Sequence, residues 1–89
     1  MKDRYLEVTF RKGKAVAAYL YLPRPAGAKS ARTRGMAPGV LVDFDGAGKA
    51  IGIEITAPDR VTADQVNVVL SQLGIEPVAP EELAPLQAA

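Results

Sequence analysis

The sequence predicts an α+β fold: two antiparallel β-hairpins forming one four-stranded sheet, packed on one face by a C-terminal helix. Three observations carry that prediction. Residues 4–22 and 38–56 each contain two runs of alternating apolar and polar side chains around a glycine-containing turn. Residues 62–74 carry an apolar stripe of helical period between a start signal and a stop signal. The strand alternation also gives each hairpin an apolar face, which is the surface such a helix must cover.

The first hairpin joins RYLEVTF (4–10) to AVAAYLYL (15–22) through RKGK. Leu6, Val8 and Phe10 share one face of the first strand, and Val16, Ala18, Leu20 and Leu22 share one face of the second. A three-residue turn at Lys12-Gly13-Lys14 pairs Phe10 with Val16, Val8 with Ala18 and Leu6 with Leu20, whereas a two-residue turn would set the two apolar rows on opposite faces. Tyr5, Glu7, Tyr19 and Tyr21 then fall together on the other face.

Residues 23–38, PRPAGAKSARTRGMAP, interrupt the alternation with prolines, glycines and four cations unaccompanied by any acid. They read as a long, flexible basic loop.

The second hairpin is PGVLVDFDGAGKAIGIEI (38–55). A four-residue loop from Gly46 to Lys49 pairs Phe44 with Ile51, Val42 with Ile53 and Val40 with Ile55; a two-residue turn at Gly48-Lys49 preserves the faces with the pairing shifted by two. Either way one side is apolar and the other carries Asp43, Asp45 and Glu54. Gly52, in mid-strand, signals a bulge or the close approach of another group, and a tyrosine ring from the first hairpin is a fitting neighbour.

After Pro58, Thr62 and Gln65 form a capping-box pair, Asp64 suits the positive helix end, and Val66, Val69, Leu70 and Leu73 make the apolar stripe. Gly74 and Pro77 end the helix. The expected organisation is therefore a single domain over 1–76 and a Pro-rich tail over 77–89, with one helical turn at PEELA and otherwise frayed.

Composition narrows the chemistry. The 89 residues include neither cysteine nor histidine, which excludes disulfides, thiol catalysis and triads built on histidine. Catalysis would have to run on carboxylates, lysines, tyrosines or a hard metal ion, so a non-enzymatic role is the expectation. No apolar run approaches the roughly 20 residues of a membrane span, and MKDRYLEVTF has no apolar core of a secretory signal. A cytoplasmic location follows as the default. Net charge is +1, but residues 1–34 hold nine Lys/Arg against Asp3 and Glu7, whereas residues 35–89 hold Lys49 and Arg60 against eight acids. That polarity suits an acidic partner, a nucleic-acid backbone or a second copy.

Two candidate surfaces emerge. Asp43, Asp45 and Glu54 cluster on one hairpin face, where they serve as a recognition surface for a basic partner, as ligands for calcium or magnesium, or as solvated acids with Asp45 capping the turn. Arg24, Lys29, Arg32 and Arg34 in the loop form a second candidate, for phosphates or an acidic partner, although no known nucleic-acid-binding signature is present. GAGKAIG (46–52) lacks Walker spacing and joins two strands, so no cofactor is expected and no metal site is assigned.

AAYLYL, the loop after it, and VLVDFD and GIEI in the second hairpin together resemble the domain of unknown function 2283, a family of small prokaryotic proteins. The likeness covers about residues 5–57 and carries over Tyr19, Asp43, Asp45, Gly48, Gly52 and Glu54. The chain departs at its first turn, where RKGK stands in place of the family's usual acids. The resemblance implies the fold and no established activity. Members are associated with small neighbouring toxin-like proteins, so it also implies an antitoxin-like role. A homodimeric protein-interaction module, pairing through a sheet face or edge and binding a small protein, is the leading expectation. Nucleic-acid binding through the loop and a divalent-metal site on the carboxylates are the alternatives.

Overall fold

The computed structural model describes residues 4–87. It contains five strands, β1 (Tyr5–Arg11), β2 (Lys14–Tyr21), β3 (Arg32–Ala37), β4 (Val40–Phe44) and β5 (Ala50–Ile55). All pair antiparallel in one sheet of order β1-β2-β5-β4-β3. The two hairpins read from the sequence are present and meet where β2 pairs with β5, Leu20 opposite Ile53 and Ala18 opposite Ile55. The sheet thus has one strand more than the four expected.

The additional strand, β3, lies within residues read as a flexible loop. Pro38-Gly39 accounts for it. Gly39 has φ 75°, so Pro and Gly occupy the two central positions of a tight turn that only a residue free of a Cβ enters readily. The turn folds Arg32–Ala37 back along β4, with Arg32 opposite Phe44 and Arg34 opposite Val42. As an edge strand it needs little apolar surface, and only Met36 and Ala37 pack against the core. Residues 22–31 form the irregular link that carries the chain from β2 to this far edge.

Both hairpin turns also refine the expected register. β1 and β2 join through a two-residue turn, Lys12-Gly13, with φ 52° and 80°, the twist-matched primed geometry. The pairs Leu6–Leu20 and Val8–Ala18 hold as expected, but Phe10 lies opposite Ala15. A bulge leaves Val16 as the extra residue and keeps both apolar rows on one face. Likewise Val40–Ile55 and Val42–Ile53 hold, whereas Phe44 pairs with Ala50 and the bulge falls at Ile51.

Helix α1 (Ala63–Gln72) begins at the capping box read from the sequence: the Gln65 amide donates to Thr62 Oγ1 at 3.2 Å and the Thr62 amide donates to Gln65 Oε1 at 2.8 Å. It ends with Ile75 N–H donating to the Leu70 carbonyl and Gly74 N–H to that of Ser71, the paired closure of a Schellman motif. Val66, Val69 and Leu70 are buried against Leu20, Leu22, Val40, Val42, Ile53 and Ile55 of the sheet.

Through residue 87 the Pro-rich tail packs on the domain where fraying was expected; its last two residues lie outside the described residues. A 3-10 turn at Pro80–Leu83 and the short helix α2 (Ala84–Gln87) follow an extended stretch that brings Val78, Leu83 and Leu86 into the core. Two clasps hold it. The Asn67 side chain accepts from the Val78 amide at 2.7 Å and donates to its carbonyl at 3.2 Å. Arg4 donates to Glu82 at 3.2 Å and to the carbonyls of Glu76 and Pro77. Among the described residues no helix is long and apolar enough to cross a membrane. The core cluster gathers on the helix-covered face, its flanking segments and the tail, and leaves tyrosines and acids on the opposite sheet face.

Candidate functional site

Strand alternation and the register decide what that second face presents. Tyr5 lies opposite Tyr21, which lies opposite Gly52, then Asp43, then Thr33 on the far edge. In the next row Glu7, Tyr19, Glu54, Leu41 and Gly35 align. These side chains stand exposed or half-buried, and none belongs to the buried core.

Gly52 organises the centre. A Cβ on it would lie 1.9 Å from Tyr19 Oη and 2.2 Å from Tyr19 Cζ, so the hydroxyl end of Tyr19 lies directly over the glycine. The close approach signalled by a mid-strand glycine is thus made by a tyrosine of the first hairpin. Crossing Gly52 lets the Tyr19 hydroxyl donate to Asp43 Oδ2 at 2.7 Å, while the Thr33 hydroxyl donates to Asp43 Oδ1. Burial, and then the bond to the Asp43 carboxylate, hold the Tyr19 pKa well above its ordinary value, so the hydroxyl is a fixed donor and no nucleophile.

Tyr21 is stacked on Tyr5 with centroids 4.5 Å apart and meets Tyr19 edge-on at 4.7 Å. The Arg24 guanidinium lies 5.0 Å from the Tyr21 centroid, and the Tyr21 hydroxyl donates to Glu7 at 3.3 Å. Desolvation and the Glu7 charge raise the Tyr21 pKa as well. The result is a continuous aromatic platform edged by carboxylates.

The three candidate acids do not converge. Asp43 is held between two hydroxyls. Asp45 Oδ1 accepts the amides of Ala47 and Lys49, both at 2.9 Å, and so closes the β4–β5 turn. Glu54 is half-buried between Tyr19 and Leu41 in its row and has no hydrogen-bond or ion-pair partner among the described residues. No group of three acids among those residues is placed to hold a metal.

The four candidate cations are likewise divided. Arg24 lies over Tyr21 on the platform side. Arg32 and Arg34 share the register of Phe44 and Val42 and so stand on the helix side of β3, Arg32 with its guanidinium 5.8 Å from the Phe44 centroid. Lys29 is exposed in the link. A separate groove of about 640 Å³, lined by Val16, Pro58, Arg60 and Leu86 among others, contains none of these residues.

Residues 17–57 match the model of a family described as protein of unknown function, DUF2283. Over that segment, a little under half of the chain, the sequence is similar to this family. The segment excludes β1, which the sequence likeness had taken in, and it includes β3. No curated protein and no solved structure matches the chain. Within the matched segment, the positions singled out by resemblance separate by role. Tyr19, Gly52 and Asp43 are one contact unit, and Asp45 and Gly48 build a turn. Glu54 is left with no structural partner described. The sequence places the three tyrosines on one face; the structure joins them into a platform. The signal was available in the register, because pairing Leu6 with Leu20 sets Tyr5 opposite Tyr21.

Proposed function

We propose that this chain is a non-enzymatic protein-interaction module that receives a basic partner on its tyrosine platform. One observation carries the reading: the sheet face away from the helix presents Tyr5, Tyr19 and Tyr21 in mutual contact, bordered by Glu7 and by a Glu54 with no described partner. Tyrosine contributes large contact area at low conformational cost, and interface centres are enriched in it. A guanidinium or ammonium arriving over these rings would meet a π-face with carboxylates nearby; Arg24 already makes the ring contact over Tyr21. An antitoxin-like role is the form of this reading in which the partner is a small basic toxin.

The test is affinity capture from the native host with the wild-type chain and with Glu7→Gln/Tyr21→Ser/Glu54→Gln side by side, followed by rebinding of purified components. The reading expects a stoichiometric basic protein that the wild type retains and the variant loses. Equal retention by both, or recovery of nucleic acid in its place, would contradict it.

A further inference from the structure

We propose that two copies of this chain pair antiparallel along β1 about a two-fold axis through Val8, forming one continuous ten-stranded sheet. The proposal borders the platform at Tyr5 and Glu7 but rests on the edges of the sheet. β1 and β3 are those edges. β3 is guarded by Arg32 and Arg34, a bulge between Gly35 and Ala37, and Pro38 directly after it, which are the usual devices against edge pairing. β1 carries charge only at Glu7 and at its last residue, Arg11, and has neither a bulge nor a proline. It runs regularly for seven residues, because the bulge in its hairpin falls on β2. Among the described residues no backbone group of β1 bonds to anything beyond β2. Its side chains include Tyr5 and Phe10, 49% and 50% exposed, with Val16 of the adjoining bulge 43% exposed.

The strand is complementary to itself in one register. With Val8 opposite the second copy's Val8, Leu6 faces Phe10 and Phe10 faces Leu6, so an apolar seam continues the core across the axis. On the platform side Tyr5 faces the second copy's Arg11, and Glu7 faces Thr9 with Arg11 on its diagonal. Arginine over tyrosine repeats the contact that Arg24 makes with Tyr21. Placing the axis at Glu7 would set two carboxylates directly opposite. Placing it at Thr9 would leave Tyr5 against the turn and only residues 7–11 paired. The Val8 axis alone uses all seven residues, and it sets the two tyrosine platforms side by side on one surface.

Because the chain has no native cysteine, single-cysteine variants read the register directly. Directly opposed antiparallel residues have Cα atoms roughly 4.5–5.5 Å apart, within disulfide reach. Val8→Cys is expected to form a covalent dimer on mild oxidation, with Glu7→Cys and Thr9→Cys far slower. Sedimentation equilibrium at high micromolar concentration is expected to give a dimer. Phe10→Lys, which charges a half-exposed side chain and leaves the monomer fold intact by circular dichroism, is expected to weaken it roughly 10- to 100-fold. A monomeric wild type, an undiminished Phe10→Lys dimer, or preferential cross-linking of Thr9→Cys would overturn the proposal. Glu54→Gln leaves dimerisation unchanged here, which separates failure of this edge from failure of the platform.

Discussion

Gly52→Ala tests the centre of the platform because its effect should reverse sign with its neighbour. The new Cβ would meet Tyr19 at 1.9–2.4 Å from Oη, Cζ and Cε2, all at the far end of the ring. The backbone has no need to move; Tyr19 must swing away. It then gives up its charge-assisted hydrogen bond to Asp43, worth about 1–1.5 kcal/mol at a partly exposed site, and its edge contact with Tyr21, worth about 0.5–1 kcal/mol. Against this, replacing a strand glycine with alanine gains about 0.5–1 kcal/mol through the unfolded chain. The net expectation is a destabilisation of about 0.5–2 kcal/mol, or roughly 2–16 °C in melting temperature for a domain of this size. In a Tyr19→Ala background the obstacle is gone, and the same substitution should stabilise by about 0.5–1 kcal/mol. Urea unfolding followed by circular dichroism measures all four corners of the cycle. Equal destabilisation in both backgrounds would refute the reasoning, since the cost would then lie in the strand and not in the ring.

Other outcomes follow from the remaining contacts. Tyr19 and Tyr21 both have pKa values raised above the ordinary 10.0, so the unfolded chain ionises first. Their contribution to stability is complete below that value and is lost as pH climbs beyond it; Tyr19→Phe should flatten the alkaline decline in a pH series of urea melts. Leu83→Ala removes a fully buried side chain of the tail and should cost about 2–4 kcal/mol, whereas a frayed tail would make it silent. Asp45→Ala leaves the Ala47 and Lys49 amides without their acceptor and should cost about 1 kcal/mol, read in the same melts.

The core face was legible because alternation and the capping box are local signals. Leu6, Val8, Val42, Ile53 and the Thr62–Gln65 pair all stand where period and spacing put them. The bulges were not legible: a single extra residue at Val16 or Ile51 leaves the apolar pattern intact while changing which turn closes the strands. β3 was hidden because an edge strand draws its stability from main-chain bonds to β4, and its cations and glycine look like a loop. Pro38-Gly39 was the overlooked clue. The tail was misjudged for a related reason: its prolines forbid a long helix, yet Val78, Leu83 and Leu86 need no long helix to reach the core once Asn67 and Arg4 hold the backbone. For the site, Gly52 and its tyrosine neighbour could be read in advance. The separation of Asp43, Asp45 and Glu54 could not, because it depends on which donors each carboxylate meets in space.

The most direct measurement of the platform reading is a backbone amide chemical-shift map of the labelled chain as the captured, purified partner is added. The expected shifts concentrate at residues 5, 7, 19, 21, 41 and 54, with α1 unmoved. Shifts confined to β3 and the cationic link, with the tyrosine rows unchanged, would contradict it.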